Sequence, residues 1–306
     1  MRKVFTEALV ELAGRDPRIL LLTGDLGYSV LEPFCEAFPD RFFNVGVAEQ
    51  NMVMLATGLA EAGFIPYVYS IATFAALRPY EAIRVGPILH RLPVRIVGIG
   101  SGFEYGHNGI SHYNLEDVAV MRTQPGLRVI VPADAPQARA AIEATWDAPG
   151  PIYFRLSKDD NLILPGLEAR FEPGRAQRIG AGRDLAIVTL GSAAVHASKA
   201  VSQLAEQGIQ ASLLVVSDLN PPPAADLVEA LGSFSFALTV EAHYVTGGLA
   251  SLVSEVIAQN GLVCRLFPCA VREMPDGHIG VQSYMEHQTG ISTAAIVETA
   301  LHAVSR

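Results

Sequence analysis

The sequence is short of charge, of cysteine and of long apolar runs, and each shortage closes off a class of function. Only 17% of its residues are Asp, Glu, Lys or Arg, and their balance is acidic, −9 at pH 7. Nucleic-acid binding displaces counterions with Lys and Arg. No basic stripe offsets the acidic balance, so no nucleic-acid partner is expected. The three cysteines, Cys35, Cys264 and Cys269, form neither a CxxC pair nor an even disulfide set, which points to packing roles in a reducing compartment. No stretch approaches the length of a membrane span. The opening MRKVFTEALVELAGRD sets acids inside its apolar pattern and lacks the continuous apolar centre of a secretion signal. Phe5, Ala8, Leu9 and Leu12 mark an amphipathic helix instead. The expectation is a cytoplasmic protein without a membrane partner.

What is present suits a compact α/β protein. Half of the 306 residues are hydrophobic, and 27 glycines with 19 prolines punctuate them, enough chain for two domains with separate cores. Fully apolar runs such as ILLLT (19–23), IPYVYS (65–70), VRIVGI (94–99) and IYFRL (152–156) read as interior parallel strands. Helical spacing recurs between them, including 73–85 with Phe74, Leu77 and Tyr80 as an apolar stripe. The alternation predicts two consecutive open, mainly parallel sheets flanked by helices. The boundaries are 1–165 for the first domain, 166–183 for a Pro- and Gly-rich linker, and 184–306 for the second.

The candidate chemistry gathers in the first unit. In FFNVGVAEQNMVMLATGLA (42–60), Phe42, Phe43 and Val45 read as a short buried strand, and Met52, Leu55, Ala56, Leu59 and Ala60 recur at helical spacing. Glu49 thus falls in a first helical turn. The helix dipole alone accounts for an acid there; the functional reading is a carboxyl held in an apolar pocket to exchange a proton with a bound ring. The loop Gly24-Asp25-Leu26-Gly27 follows a strand, where ligands bind in open α/β sheets. Gly98, Gly100 and Gly102 do not match the dinucleotide spacing GxGxxG. Further on, GHNGISH (106–112) puts His107, Asn108 and His112 on a glycine-permitted loop, able to approach a ligand and exchange protons near neutral pH. Phe74 can pack in a core or stack on a flat heterocycle. Arg78, Arg84 and Lys158 can meet an anionic substrate or a carboxylate.

Taken together, GVAEQNM around Glu49, ATF at Phe74, GHNGISH ending at His112 and VPAD at 131–134 resemble the transketolase family. The resemblance covers nearly the whole chain and corresponds to the C-terminal half of a transketolase, the pyrimidine-binding domain followed by the transketolase C-terminal domain. It implies one subunit of a split enzyme, with thiamine diphosphate as cofactor. The cofactor's diphosphate and Mg²⁺ would be held mainly by an N-terminal-half partner in an α2β2 assembly. Gly24-Asp25-Leu26 with Asn51 only partly matches the GDG…N signature that holds that metal, so no metal is assigned to this chain.

By the same resemblance Glu49 matches the glutamate that shares a proton with N1′ of the aminopyrimidine and so activates the thiazolium carbon. Phe74 stacks on that ring with Tyr80 nearby, and Asp25 and Leu26 match a loop beside the cofactor. Ser29 matches a serine near the substrate phosphate. His112 matches the histidine that contacts the donor's hydroxyl and carbonyl oxygens. Three departures stand out: Asn108 replaces an aspartate, Lys158 an arginine, and Gly100 falls where a phosphate-binding histidine is expected. Arg binds phosphate bidentately in a way Lys does not. The implied reaction moves a two-carbon ketol unit from a ketose or ketose phosphate to an aldehyde. The alternatives are the β-subunit of a 2-oxo acid dehydrogenase E1 component and, in another class, a non-catalytic flavodoxin-like binding protein.

Overall fold

The computed structural model describes residues 1–275 and 277–305. In chain order its strands are β1 (Ile19–Thr23), β2 (Phe42–Asn44), β3 (Ile65–Ile71), β4 (Arg95–Ile99), β5 (Arg128–Ile130), β6 (Ile152–Leu156), β7 (Gln177–Ile179), β8 (Leu185–Thr189), β9 (Ala211–Val215), β10 (Asp218–Asn220), β11 (Phe236–Tyr244) and β12 (Arg265–Val271). They form a seven-stranded sheet in the order β10-β5-β6-β4-β3-β1-β2 and a five-stranded sheet in the order β12-β11-β8-β9-β7. Only β10 and β7 run antiparallel to their neighbours. Every residue of β1, β4, β6, β8 and β9 is buried, as expected where helices cover both faces of a parallel sheet.

One apolar cluster is continuous across the two units. It joins Val53, Ala56 and Met121 of the first to Val188, Leu214 and Leu227 of the second. The outer face of the large sheet is covered by helices Arg2–Arg15 and Ala135–Thr145, and that of the small sheet by Ala194–Glu206 and Thr293–Val304. Asp134 caps its helix by accepting from the Gln137 N–H at 2.8 Å. No helix among the described residues is long and apolar enough to cross a membrane.

Several expectations need correction. Residues 166–183 are not wholly a linker, because Gln177–Ile179 forms β7 on the edge of the second sheet. Nor does the 184–306 segment keep to its own sheet, since β10 crosses to pair with β5. Beside it Arg128 is ion-paired to the buried Asp218, and the Asn220 amide donates to the carbonyls of Gln124 and Leu127. The strand at 42–44 lies at the sheet edge, leaving Phe43 38% exposed. The helix expected over 73–85 is divided into Ala72–Leu77, Tyr80–Ile83 and a wide turn at Arg84–Ile88, with Pro79 and Pro87 interrupting it. Its buried side is Ala72, Ala75, Ala76, Ala82 and Ile83, so Phe74, Leu77 and Tyr80 are half-buried rather than a core stripe.

Candidate active site

The site is assembled at the carboxyl ends of β1, β3 and β4, where three loops converge. Thr23 closes β1 and donates from Oγ1 to the Leu26 carbonyl at 2.8 Å, pinning the turn that follows. Asp25 adopts φ 60° and Ser29 φ 64°, a left-handed backbone that ordinary residues seldom take and that clusters at ligand sites. Asn44 at the end of β2 holds Asp25 reciprocally: its Oδ1 accepts from the Asp25 N–H and its Nδ2 donates to the Asp25 carboxylate, both at 3.0 Å. Asn44 and then the Tyr28 hydroxyl lower the pKa of the Asp25 carboxyl.

Gly24 lies over the Glu49 side chain; a Cβ there would be 3.8 Å from Glu49 Cγ and 3.3 Å from the Gly46 carbonyl oxygen. Glu49 opens the helix Glu49–Glu61, whose N-cap, Ala48, offers no side-chain cap. The carboxyl is 3% exposed, and its oxygens turn away from the helix to Arg78, whose Nη1 donates to Oε1 at 2.9 Å and Oε2 at 2.8 Å. The Arg78 guanidinium carbon stands 3.9 Å from the centre of the Phe74 ring. His112 meets that ring edge-on at 5.2 Å. Four residues expected at the site are therefore in mutual contact: Glu49, Phe74, Arg78 and His112. Beside them a cavity of about 650 Å³ opens between Val47, Asn51, Met54 and Arg78.

His112 rides on a loop that the second domain holds in place. Gly102 and Asn114 exchange backbone hydrogen bonds at 3.1 and 2.9 Å, closing the loop at its base. Phe103, Tyr113 and Leu115 at its stems pack against Ala242, Val271, Met285 and Ile291. The Tyr113 hydroxyl donates to the His278 carbonyl at 2.7 Å. Partial burial, then the charge of Arg78 and the proximity of His107, push the His112 imidazole below its ordinary pKa. It is neutral at neutral pH, with Ser111 Oγ 2.9 Å from Nδ1.

The remaining expected residues lie at the margins. Asp25 and Leu26 rim the turn above Glu49, and Ser29 is exposed with its N–H donating to Glu32 at 2.7 Å. Asn108 and His107 face solvent. Tyr80 pairs with the Thr123 hydroxyl at 3.2 Å and makes no ring contact with Phe74 among the described residues. Lys158 reaches the group through Tyr105, its ammonium 4.7 Å from the Tyr105 ring centre, and that ring lies 6.4 Å from His112. Tyr105 was missed, although an aromatic inside a glycine-rich loop was its signal. Gly100 makes room for it: φ is +95° and a Cβ there would overlap the tyrosine ring. Glu104 was missed as well; burial pushes its carboxyl up, and it accepts from the Ser157 hydroxyl at 2.6 Å and from the Lys158 N–H. No cluster of three or more His, Cys, Asp and Glu among the described residues is arranged to hold a metal.

Residues 1–161 match the transketolase pyrimidine-binding domain and residues 174–296 the transketolase C-terminal domain. One of the two subunits of an apulose-4-phosphate transketolase from Phocaeicola vulgatus is 32% identical, the alignment covering 100% of this chain and 97% of the relative. A 6-deoxy-6-sulfo-D-fructose transketolase subunit from a Clostridium species is also 32% identical, over 100% and 95%. Among solved structures, a split-gene transketolase in the form of an inactive beta4 tetramer superposes with a TM-score of 0.90 at 34% identity, over 99% of this chain and 98% of that one.

Proposed function

This chain belongs to the transketolase family, and we propose that it is the subunit supplying the pyrimidine side of a thiamine diphosphate site. A partner corresponding to the N-terminal half would complete the site. The assembled enzyme moves a two-carbon ketol unit from a ketose to an aldehyde. The observation that carries the reading is the pairing of a buried, backbone-free carboxylate, Glu49, with the aromatic face of Phe74. That pairing suits a flat heterocycle with a basic ring nitrogen. The chain offers no comparable set for Mg²⁺ among its described residues, so the metal and the diphosphate are assigned to the partner, in an assembly of two copies of each subunit.

Thiamine diphosphate, when bound, supplies the nucleophilic carbon and the electron sink that ketol transfer needs. The chain's own residues orient and exchange protons. Glu49 would hold a proton against the ring nitrogen, Phe74 would stack on the ring, and Asp25 and Leu26 would bound it from the turn after β1. Tyr80 belongs to the outer wall. The neutral imidazole of His112 can donate or accept toward a substrate hydroxyl or carbonyl, with Asn108 and Ser29 on the same rim. Lys158, fixed over Tyr105, offers a point charge to an anionic substrate group, a weaker geometric filter than a guanidinium fork. We keep the division into 1–165 and 184–306 as the functional one, and three unbridged cysteines suit a reducing cytoplasm.

The test is reconstitution. This chain, an N-terminal-half partner, thiamine diphosphate and Mg²⁺ are mixed and screened against ketose donors with aldehyde acceptors and, in parallel, against 2-oxo acids. Ketol transfer by the mixture, and by neither subunit alone, is expected. Oxo-acid decarboxylation without ketol transfer would instead select the E1 β-subunit reading.

A further inference from the structure

Arg78 makes both of the contacts that a bound aminopyrimidine would need. Its guanidinium is planar, carries N–H donors aimed at the two Glu49 oxygens, and lies 3.9 Å over the Phe74 ring. One face of Phe74 and the Glu49 carboxylate cannot serve a guanidinium and a heterocycle together. The His112 ring touches Phe74 edge-on and so leaves this competition to Arg78. The two partners differ in mobility: the Glu49 side chain is 2% exposed and that of Arg78 45%, and Arg78 follows the six-residue helix Ala72–Leu77 just before Pro79. The buried acid is fixed, and the arginine has a path to solvent.

We propose that Arg78 is a displaceable place-holder for the cofactor's ring: it keeps the buried Glu49 paired and covers Phe74, and loading requires its guanidinium to leave both contacts. The proposal rests on the reading of Glu49 and Phe74 given above. The physical rationale is that a buried carboxylate stripped of its partner is strongly destabilising, so a pocket built around one benefits from an internal cation of the right shape. Arginine fits where lysine does not, since only the guanidinium is flat enough to stack while donating. Arg78 is thus a positioning residue that acts through Glu49, with a cost in cofactor affinity.

The test uses the assembled complex with Mg²⁺ and reads thiamine diphosphate binding by calorimetry and stopped-flow rather than turnover. Arg78→Ala is expected to load faster and bind on the order of tenfold tighter, the sum of a partly exposed ion pair and a cation–π contact. Arg78→Lys should fall between it and the wild type. In the alanine variant, millimolar methylguanidinium should refill the place and slow loading, with no such effect on the wild type. Arg78→Met, which keeps an apolar cover over Phe74, replaces the alanine variant if that fails to fold. Unchanged or weaker binding in a folded Arg78 variant, or indifference to methylguanidinium, overturns the proposal. A wild-type complex that binds no thiamine diphosphate overturns instead the reading of Glu49.

Discussion

Two glutamates sit buried beside helix starts in this chain, and their difference separates a working acid from a structural one. Glu241, on β11, gives both oxygens to backbone donors: Oε2 accepts from the Leu249 N–H at 2.7 Å and Oε1 from Ala250 at 2.8 Å, capping the helix Leu249–Gln259. Gly248 makes this possible, since a Cβ there would collide with Glu241 Oε2 and His243 Nδ1. Glu49 is equally buried and also opens a helix, yet its oxygens go to a movable side chain. The helix-dipole explanation offered for any acid in a first turn describes Glu241 fully and Glu49 only in part. A carboxylate locked into backbone N–H groups is committed to the fold, whereas one facing a displaceable cation is available.

Paired substitutions should break the two apart. In the reconstituted complex Glu49→Gln should lower kcat by roughly 10²–10⁴, the range for losing a positioned acid or base, with thermal stability retained; wild-type turnover would remove Glu49 from the mechanism. Glu241→Ala should do the converse. Two buried N–H groups lose their acceptor, and about 3–5 kcal/mol of stability should disappear in denaturant titrations; a loss below about 1 kcal/mol would mean that the cap is dispensable.

The pH dependence sharpens the same contrast. Burial lifts the Glu241 carboxyl from 4.5 to about 7, so folding takes up a proton between those values. The stability it contributes is full below pH 4.5 and lost as pH rises through about 7. His243 works in the opposite sense. Burial lowers it from 6.5 to about 4, so its contribution is present above 6.5 and lost as pH falls through about 4. Its tautomer is set by Nδ1–H donating to the Tyr244 carbonyl at 2.7 Å. The two effects nearly offset one another in the wild type. The stability of Glu241→Gln measured against wild type should therefore climb by about 3 kcal/mol from pH 4.5 to 7, and a flat difference would show that Glu241 does not titrate there.

Glycines near the two acids give the smallest effects. Gly248→Ala should cost about 1–3 kcal/mol by overpacking the Glu241 cap. Gly58→Ala, exposed in the Glu49 helix with nothing within 4 Å of a new Cβ, should add about 0.5–1 kcal/mol. Chemical denaturation of the two variants side by side checks both signs.

The strands were legible because apolar runs such as ILLLT leave only a doubly covered sheet as a home. Less legible was what the runs conceal. Arg95 and Arg155 lie inside β4 and β6 and are almost fully buried. Arg95 survives there by donating to the carbonyls of Trp146, Ala148 and Gly150, and Arg155 by meeting Asp117 at 3.0 Å; no local pattern announces partners so distant in the chain. Periodicity also misjudged the Glu49 helix, where Val53 is buried and Leu55, expected inside, is 42% exposed beside Met54 at 45%. An apolar residue on a face reserved for another chain has the same spacing as one facing the core. The site was read through its motifs, which located Glu49, Phe74 and His112, but Arg78 as the partner of Glu49 and Tyr105 as the support of Lys158 depend on side-chain directions that spacing does not carry.

The three residues of β10 have a consequence for how the chain can be divided. By finishing the large sheet with a segment drawn from beyond residue 184, the fold makes each half hold the other's edge. Residues 1–165 expressed alone would end in an uncovered strand, β5, with Arg128 deprived of Asp218, an edge ready to pair with a neighbouring molecule. The two halves should consequently melt together in one calorimetric transition. Exchanging one of them between relatives requires that three-residue strand to travel with the sheet it completes, whatever the domain boundary suggests.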